Sequence, residues 1–199
     1  MSRVSRTLLR GVGIGLGCLL VLVALDANQG HTASEVEAWA ALRGGGHVAL
    51  IRHADAPGSG DPPGFTPGDC STQRNLGDAG RAQATRIGDL FRANGIAEAH
   101  VVSSQWCRCL DTANLMALGR VEELPALNSF FGEPERREPQ TAALKAWLAA
   151  QDLSAPLILV THQVNIVALA GASTRSGEIV VVRPGETGAV SLVGTIETD

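Results

Sequence analysis

Three short runs rich in apolar and β-branched residues constrain the fold of this chain most: HVALIR (47–52), AHVVSS (99–104) and APLILVT (155–161). Their centres are continuously apolar rather than alternating, the pattern of strands covered on both faces of a parallel sheet. Helical patterns stand between and after them. In residues 78–94, Ala82, Ile87, Leu90 and Phe91 share one face and Gly95 ends the run; 105–118, 140–151 and 162–171 read as further helices, and 34–43 as a first one capped by Ser34. VEEL (121–124) reads as a short edge strand, and residues 177–196 as two strands around a Pro-Gly turn. Strand alternating with helix predicts an α/β three-layer sandwich, with a mainly parallel central sheet flanked by helices and an antiparallel pair at its edge. With 199 residues, 45% of them hydrophobic, the chain can bury such a core without metals or bridges as staples.

The N-terminus has a different character. Arg3, Arg6 and Arg10 precede an apolar run from Gly11 to Leu25, with no acid among them. A basic segment ahead of about 7–15 apolar residues is the layout of an export signal, and the run is short for a spanning helix of about 17–25. Residues 1–33 are therefore expected to be an export signal or N-terminal membrane anchor, with Ala27 or Ala33 as the last residue removed if it is cleaved. Residues 34–199 form the folded domain. Its expected location is periplasmic, or anchored to the inner membrane through residues 11–25. A net charge of −4 gives no global attraction to nucleic acid.

Cys18 belongs to the apolar segment, which leaves Cys70, Cys107 and Cys109 in the domain. In an oxidising compartment a bridge from Cys70 to Cys107 or Cys109 leaves one free thiol, and three buried free cysteines are the alternative.

Open α/β sheets bind ligands beyond the carboxyl ends of their strands. Here the first strand ends in Arg52-His53 and the second in Ser103-Ser104, with Arg108 soon after; the third ends in Thr161-His162. Helix N-termini gather at the same edge and favour an anion, and guanidinium forks suit phosphate. The loop at 54–73, rich in Gly, Pro and Asp, exceeds the usual ~12–15-residue limit for structureless connections, as functional loops often do.

Four ordered motifs then carry a resemblance. IRHA (51–54) resembles the R-H-G signature of the histidine phosphatase (phosphoglycerate mutase-like) superfamily. LGDAGRAQA (76–84), SSQWCRCLDTA (103–113) and THQVNI (161–166) resemble its later motifs, so that the likeness spans nearly all of residues 47–195. The resemblance implies a phosphoglycerate mutase-like fold and a phosphatase working through phosphohistidine, with no metal or organic cofactor. It implies that His53 is the nucleophile and that Arg52, Arg108 and His162 surround the phosphoryl group of a small phosphorylated substrate. The order of the motifs is similar to that of small envelope sugar-phosphate phosphatases.

The departures from the family pattern are Ala54 in place of the usual glycine, expected to crowd the phosphate slightly, and Gly77 in place of Ser or Thr, expected to pass the helix cap to Asp78. Ser129 stands where the family places a glutamate that protonates the leaving oxygen, and Gln163 where another branch places its acid. The proton donor is thus unassigned, with Glu133, Asp55 and Glu123 as candidates against the plainer reading of solvated charges. Arg74 and Asn75 are candidates for substrate contact, and Trp106 for a wall of the pocket. Without an acid, easy leaving groups such as phosphohistidine are favoured. Two further readings stand beside the phosphatase: a metallohydrolase using His53, Asp55 and His162, which the adjacent arginines oppose by repelling a cation, and a phosphate-binding module without turnover.

Overall fold

The computed structural model describes Met1, residues 33–186 and residues 188–198. The expected export segment, including the apolar run at 11–25, lies almost wholly outside the described residues.

The elements run in the order α1 (Ala33–Gly44), β1 (Val48–Arg52), α2 (Asp78–Ala93), β2 (His100–Ser103), α3 (Cys107–Met116), β3 (Val121–Glu123), α4 (Arg137–Ala149), β4 (Leu157–Thr161), α5 (Gln163–Ala170), β5 (Ile179–Pro184) and β6 (Val190–Ile196). One six-stranded sheet has the order β3-β2-β4-β1-β5-β6. The first four strands of that order are parallel to their neighbours, and β5 and β6 are added antiparallel. This is the α/β sandwich expected from the sequence.

Alternate residues of each central strand serve opposite faces. Ala49, Ile51, Val101, Ile158, Val160, Ile179 and Val181 pack against Trp39, Ile87, Phe91 and Met116 of α1, α2 and α3. Val48, Leu50, Val102, Leu157, Leu159, Val180 and Val182 meet Leu144, Leu148, Ile166 and Leu169 of α4 and α5. Trp39 and Phe91 meet edge to face at 5.1 Å, a pairing that adds about 0.5–1.5 kcal/mol beyond the area it buries.

Some helix boundaries differ from expectation. Helix α1 begins at Ala33, ahead of the expected Ser34 cap, and α4 begins at Arg137, directly after a 3-10 turn at Pro134–Arg136. The N-cap of α2 is Gly77, without a side-chain bond, and Asp78 is the first helical residue, where its charge complements the helix dipole.

The register brings the site together. Arg52 stands opposite Thr161, and the His53 N–H donates to Thr161 O at 3.0 Å, so β1 and β4 release their polar ends side by side. On the other flank of β4, the Ser104 N–H donates to Val160 O at 2.9 Å.

Candidate active site

Beyond these three strand ends opens a cleft of about 470 Å³, lined by Arg52, His53, Arg74, Arg108, His162 and Gln163 among others. His53 and His162 are 3% and 4% exposed, and their ring centroids lie 5.5 Å apart. Nδ1 of His53 is 2.8 Å from Ala54 O, so it carries the ring proton and donates it there. Nε2 is left with its lone pair. Burial lowers the His53 pKa to about 3; the bond to Ala54 opposes the shift, and Arg108, Arg74 and Arg52 reinforce it. The ring is therefore neutral and nucleophilic at ordinary pH.

His162 is likewise held neutral, its pKa driven well below the usual value by burial, then by His53 and the three arginines. Its Nε2 lies 2.9 Å from Ser104 Oγ, whereas that hydroxyl is 3.2 Å from Asn128 Oδ1. Asn128 Oδ1 can only accept, so the Ser104 hydroxyl donates to it and the His162 Nε2–H donates to Ser104 Oγ, which leaves the ring's lone pair on Nδ1.

The arginines differ in their restraints. Arg52 Nη1 donates to Gln163 Oε1 at 2.6 Å and to Thr174 O at 2.9 Å. Gln163 thus holds an arginine at the position where the sequence left an acid missing. Arg74 Nε donates to Gly60 O at 2.8 Å and its Nη1 to Ala56 O, which ties down the β1–α2 loop. Arg108, 3% exposed, forms a two-pronged pair with Asp61: Nη1 to Oδ1 at 2.5 Å and Nη2 to Oδ2 at 3.3 Å.

Each motif has a structural reason. Gly80 lets α2 approach the chain just after His53, and Gln83 braces that chain by accepting from the Asp55 N–H and donating to Ser176 O, both at 3.0 Å. Thr112 Oγ1 accepts from Ala54 N–H at 3.0 Å and donates to Arg108 O at 2.7 Å, which joins the first motif to the third. The Ala54 methyl packs with Ala56, Leu76 and Ala84 and does not line the cleft, so the expected crowding of a phosphate is absent.

The remaining candidates separate. Arg74 lines the cleft; Asn75 does not, and its side chain donates to Cys70 O at 2.7 Å. Ser129 lines the cleft and accepts from Phe131 N–H at 3.2 Å. Glu133 is exposed and paired with Arg136 at 3.1 Å, Asp55 is exposed, and Glu123 sits on the edge strand bonded to Gln105; none of the three lines the cleft. Asp61, which the sequence reading passed over, is the carboxylate that does. Cys70 bonds to Cys107, while Cys109 is free and buried, its thiol pushed up to about 12 mainly by that burial. Trp106 does not line the cleft; it meets the ring of His162 edge to face at 5.5 Å and stacks on Phe65 at 4.8 Å. Among the described residues no group of three or more His, Cys, Asp or Glu side chains is disposed to hold a metal ion.

A neutral histidine thus lines a cleft together with Arg52, Arg74 and Arg108, at the strand ends of a three-layer α/β sandwich. The family model of the histidine phosphatase superfamily (branch 1) matches residues 48–157, more than half of the chain. The chain belongs to that superfamily. No curated protein matches the sequence. Among solved structures it is similar in fold to the protein histidine phosphatase SixA complexed with tungstate, with 17% identity, TM-score 0.56, and 76% of this chain and 97% of that one covered. It is also similar to phosphoserine phosphatase from Entamoeba histolytica with 3-phosphoglyceric acid (14%, 0.56, 77% and 98%). A mycobacterial glucosyl-3-phosphoglycerate phosphatase with VO3 gives 15%, 0.54, 73% and 96%.

Proposed function

We propose that the protein is a metal-independent phosphatase that hydrolyses a phosphomonoester through a phosphohistidine at His53. The observation that carries the reading is the tautomer of His53: Nδ1 is committed to Ala54 O, and Nε2 stands free in a cleft lined by Arg52, Arg74 and Arg108. Nε2 attacks phosphorus, the P–O bond to the leaving group breaks, and water then cleaves the P–N bond. Arg52 and Arg108 hold the equatorial oxygens, where transferred charge develops, and His162 lines the cleft with them. The fold relatives bear tungstate, VO3 and 3-phosphoglyceric acid, which supports a small phosphorylated substrate. A cell-envelope sugar phosphate is the substrate class proposed, with the domain exported by residues 1–33. The Cys70–Cys107 bridge supports an oxidising compartment.

The test is a screen of sugar, aryl and phosphohistidine substrates, with EDTA, with orthovanadate and with His53→Ala. Activity surviving EDTA, blocked by vanadate and abolished by the substitution is the expected result. Full activity in His53→Ala would refute the nucleophile, and loss with EDTA would refute metal independence.

A further inference from the structure

The cleft holds one carboxylate among its described lining residues, that of Asp61 in the β1–α2 loop. We propose that Asp61 is the proton donor to the leaving oxygen, freed for that role when a phosphoryl group takes Arg108 from it. The proposal rests on the phosphohistidine reading above.

Among the described residues, the polar contacts of this side chain are to Arg108 and Trp106. Its two oxygens engage the Arg108 fork at 2.5 and 3.3 Å, and Oδ2 accepts from Trp106 Nε1 at 2.9 Å. The side chain is 20% exposed. Phe65 stacked on Trp106 and the Cys70–Cys107 bridge fasten the loop on either side of the start of α3. Asp61 is thus held at the cleft wall, but by a partner that a phosphate also requires.

A carboxylate and a phosphate cannot both occupy the forked donors of Arg108. Although burial acts to raise the Asp61 pKa, hydrogen bonds from Arg108 and Trp106 outweigh it and keep the resting carboxyl ionised. Once Arg108 turns to the phosphoryl oxygens, Asp61 keeps the Trp106 bond but faces a second anion, and both changes favour proton uptake. A phosphomonoester, with its second pKa near ~6, brings that proton in its monoanionic form. As His53 Nε2 bonds to phosphorus, the P–O bond breaks and the leaving oxygen takes the proton from Asp61, giving the alcohol. The regenerated carboxylate accepts a proton from the water that attacks phosphohistidine and passes it to the departing phosphate, which leaves as the monoanion and restores the ionised carboxylate. The pair with Arg108 then re-forms.

The test compares Asp61→Asn with the parent chain on an activated aryl phosphate, whose phenolate departs without a proton, and on an unactivated alkyl phosphate. For the alkyl ester, kcat/KM is expected to fall by about 10²–10⁴-fold. For the aryl ester, kcat/KM is expected to hold within about threefold, with a burst of phenolate as phosphohistidine accumulates, by the same general-acid argument. Vanadate inhibition should be unchanged or tighter, since a competitor for Arg108 is gone. Should Asn compromise folding, Asp61→Glu keeps the charge and is expected to lose activity on the alkyl ester selectively. Equal losses on the two esters would reduce Asp61 to a positioning residue for Arg108, and no loss on either would remove it from the reaction; both outcomes overturn the proposal. Failure of the parent chain to form phosphohistidine would instead sink the reading on which the proposal rests.

Discussion

Gly80 lies against the backbone of Asp55 so closely that a β-carbon on the glycine would sit 1.9 Å from the Asp55 carbonyl oxygen. Because the obstacle is backbone two residues after His53, a side chain at position 80 cannot be absorbed by a rotamer change. Gly80→Ala is expected to cost about 3 kcal/mol or more, at or above the top of the range for overpacked cores. It should also displace His53. Denaturant unfolding measures the first effect, and the yield of phosphohistidine per folded molecule measures the second.

The bridge from Cys70 to Cys107 closes a span of 37 residues that contains Arg74, and it ties the end of the loop that carries Asp61 to the start of α3. Loop-closure entropy assigns such a bridge about 4 kcal/mol of stability. The Cys70→Ser/Cys107→Ser double variant should therefore unfold at lower denaturant and expose the 54–73 loop to proteolysis before the sheet. Equal denaturant midpoints with and without reductant would contradict this.

Acid should destabilise the fold through the buried histidines. The folded-state pKa of His53 is about 3, below the ordinary 6.5, so between these values the unfolded chain binds a proton that the folded chain refuses. Stability is then complete above pH 6.5 and declines as pH falls toward 3, by about 1.4 kcal/mol per pH unit for each such proton. His162 acts in the same direction. His53→Asn should flatten the pH dependence of the unfolding free energy between pH 6 and 4 by roughly one proton's worth.

Gln163 steers Arg52 through a 2.6 Å bond, and a hydrogen bond to a charged group contributes about 1.5–3 kcal/mol. Gln163→Leu leaves Arg52 only the Thr174 carbonyl, so vanadate inhibition should weaken by about tenfold or more. An unchanged inhibition constant would mean that Arg52 is positioned without it.

Much of this arrangement was legible before any coordinates. Continuous apolar strands ending in Arg52-His53 and Thr161-His162 reveal themselves because burial on both faces suppresses polar residues until the strand leaves the core. Asp61 was not legible in the same way. It lies among glycines and prolines in a loop without periodicity, and its partner Arg108 is 47 positions away. Its only trace was as one of three aspartates within a loop too long to be idle. Glu133 and Asp55 drew attention by proximity to the motifs, yet Glu133 stands at the start of the 3-10 turn ahead of α4 and pairs there with Arg136 near the surface, while Asp55 is exposed. The choice between Cys107 and Cys109 was also hidden. Two residues along a helix turn the side chain about 200°, and only packing shows which faces the loop.

The burial of Cys109 has a consequence for how the chain matures. Its thiol is fully buried in the hydrophobic cluster, within reach of Thr161 O and His162 Nε2, whereas Cys107 meets Cys70 of the 54–73 loop. An isomer joining Cys70 to Cys109 would have to drag that sulfur out of the hydrophobic layer, so mispaired molecules cannot complete the core. With its thiolate suppressed by burial, Cys109 also cannot attack the finished bridge from within. Packing therefore proofreads the pairing during oxidation, and once the sheet has closed the correct isomer is kinetically sealed.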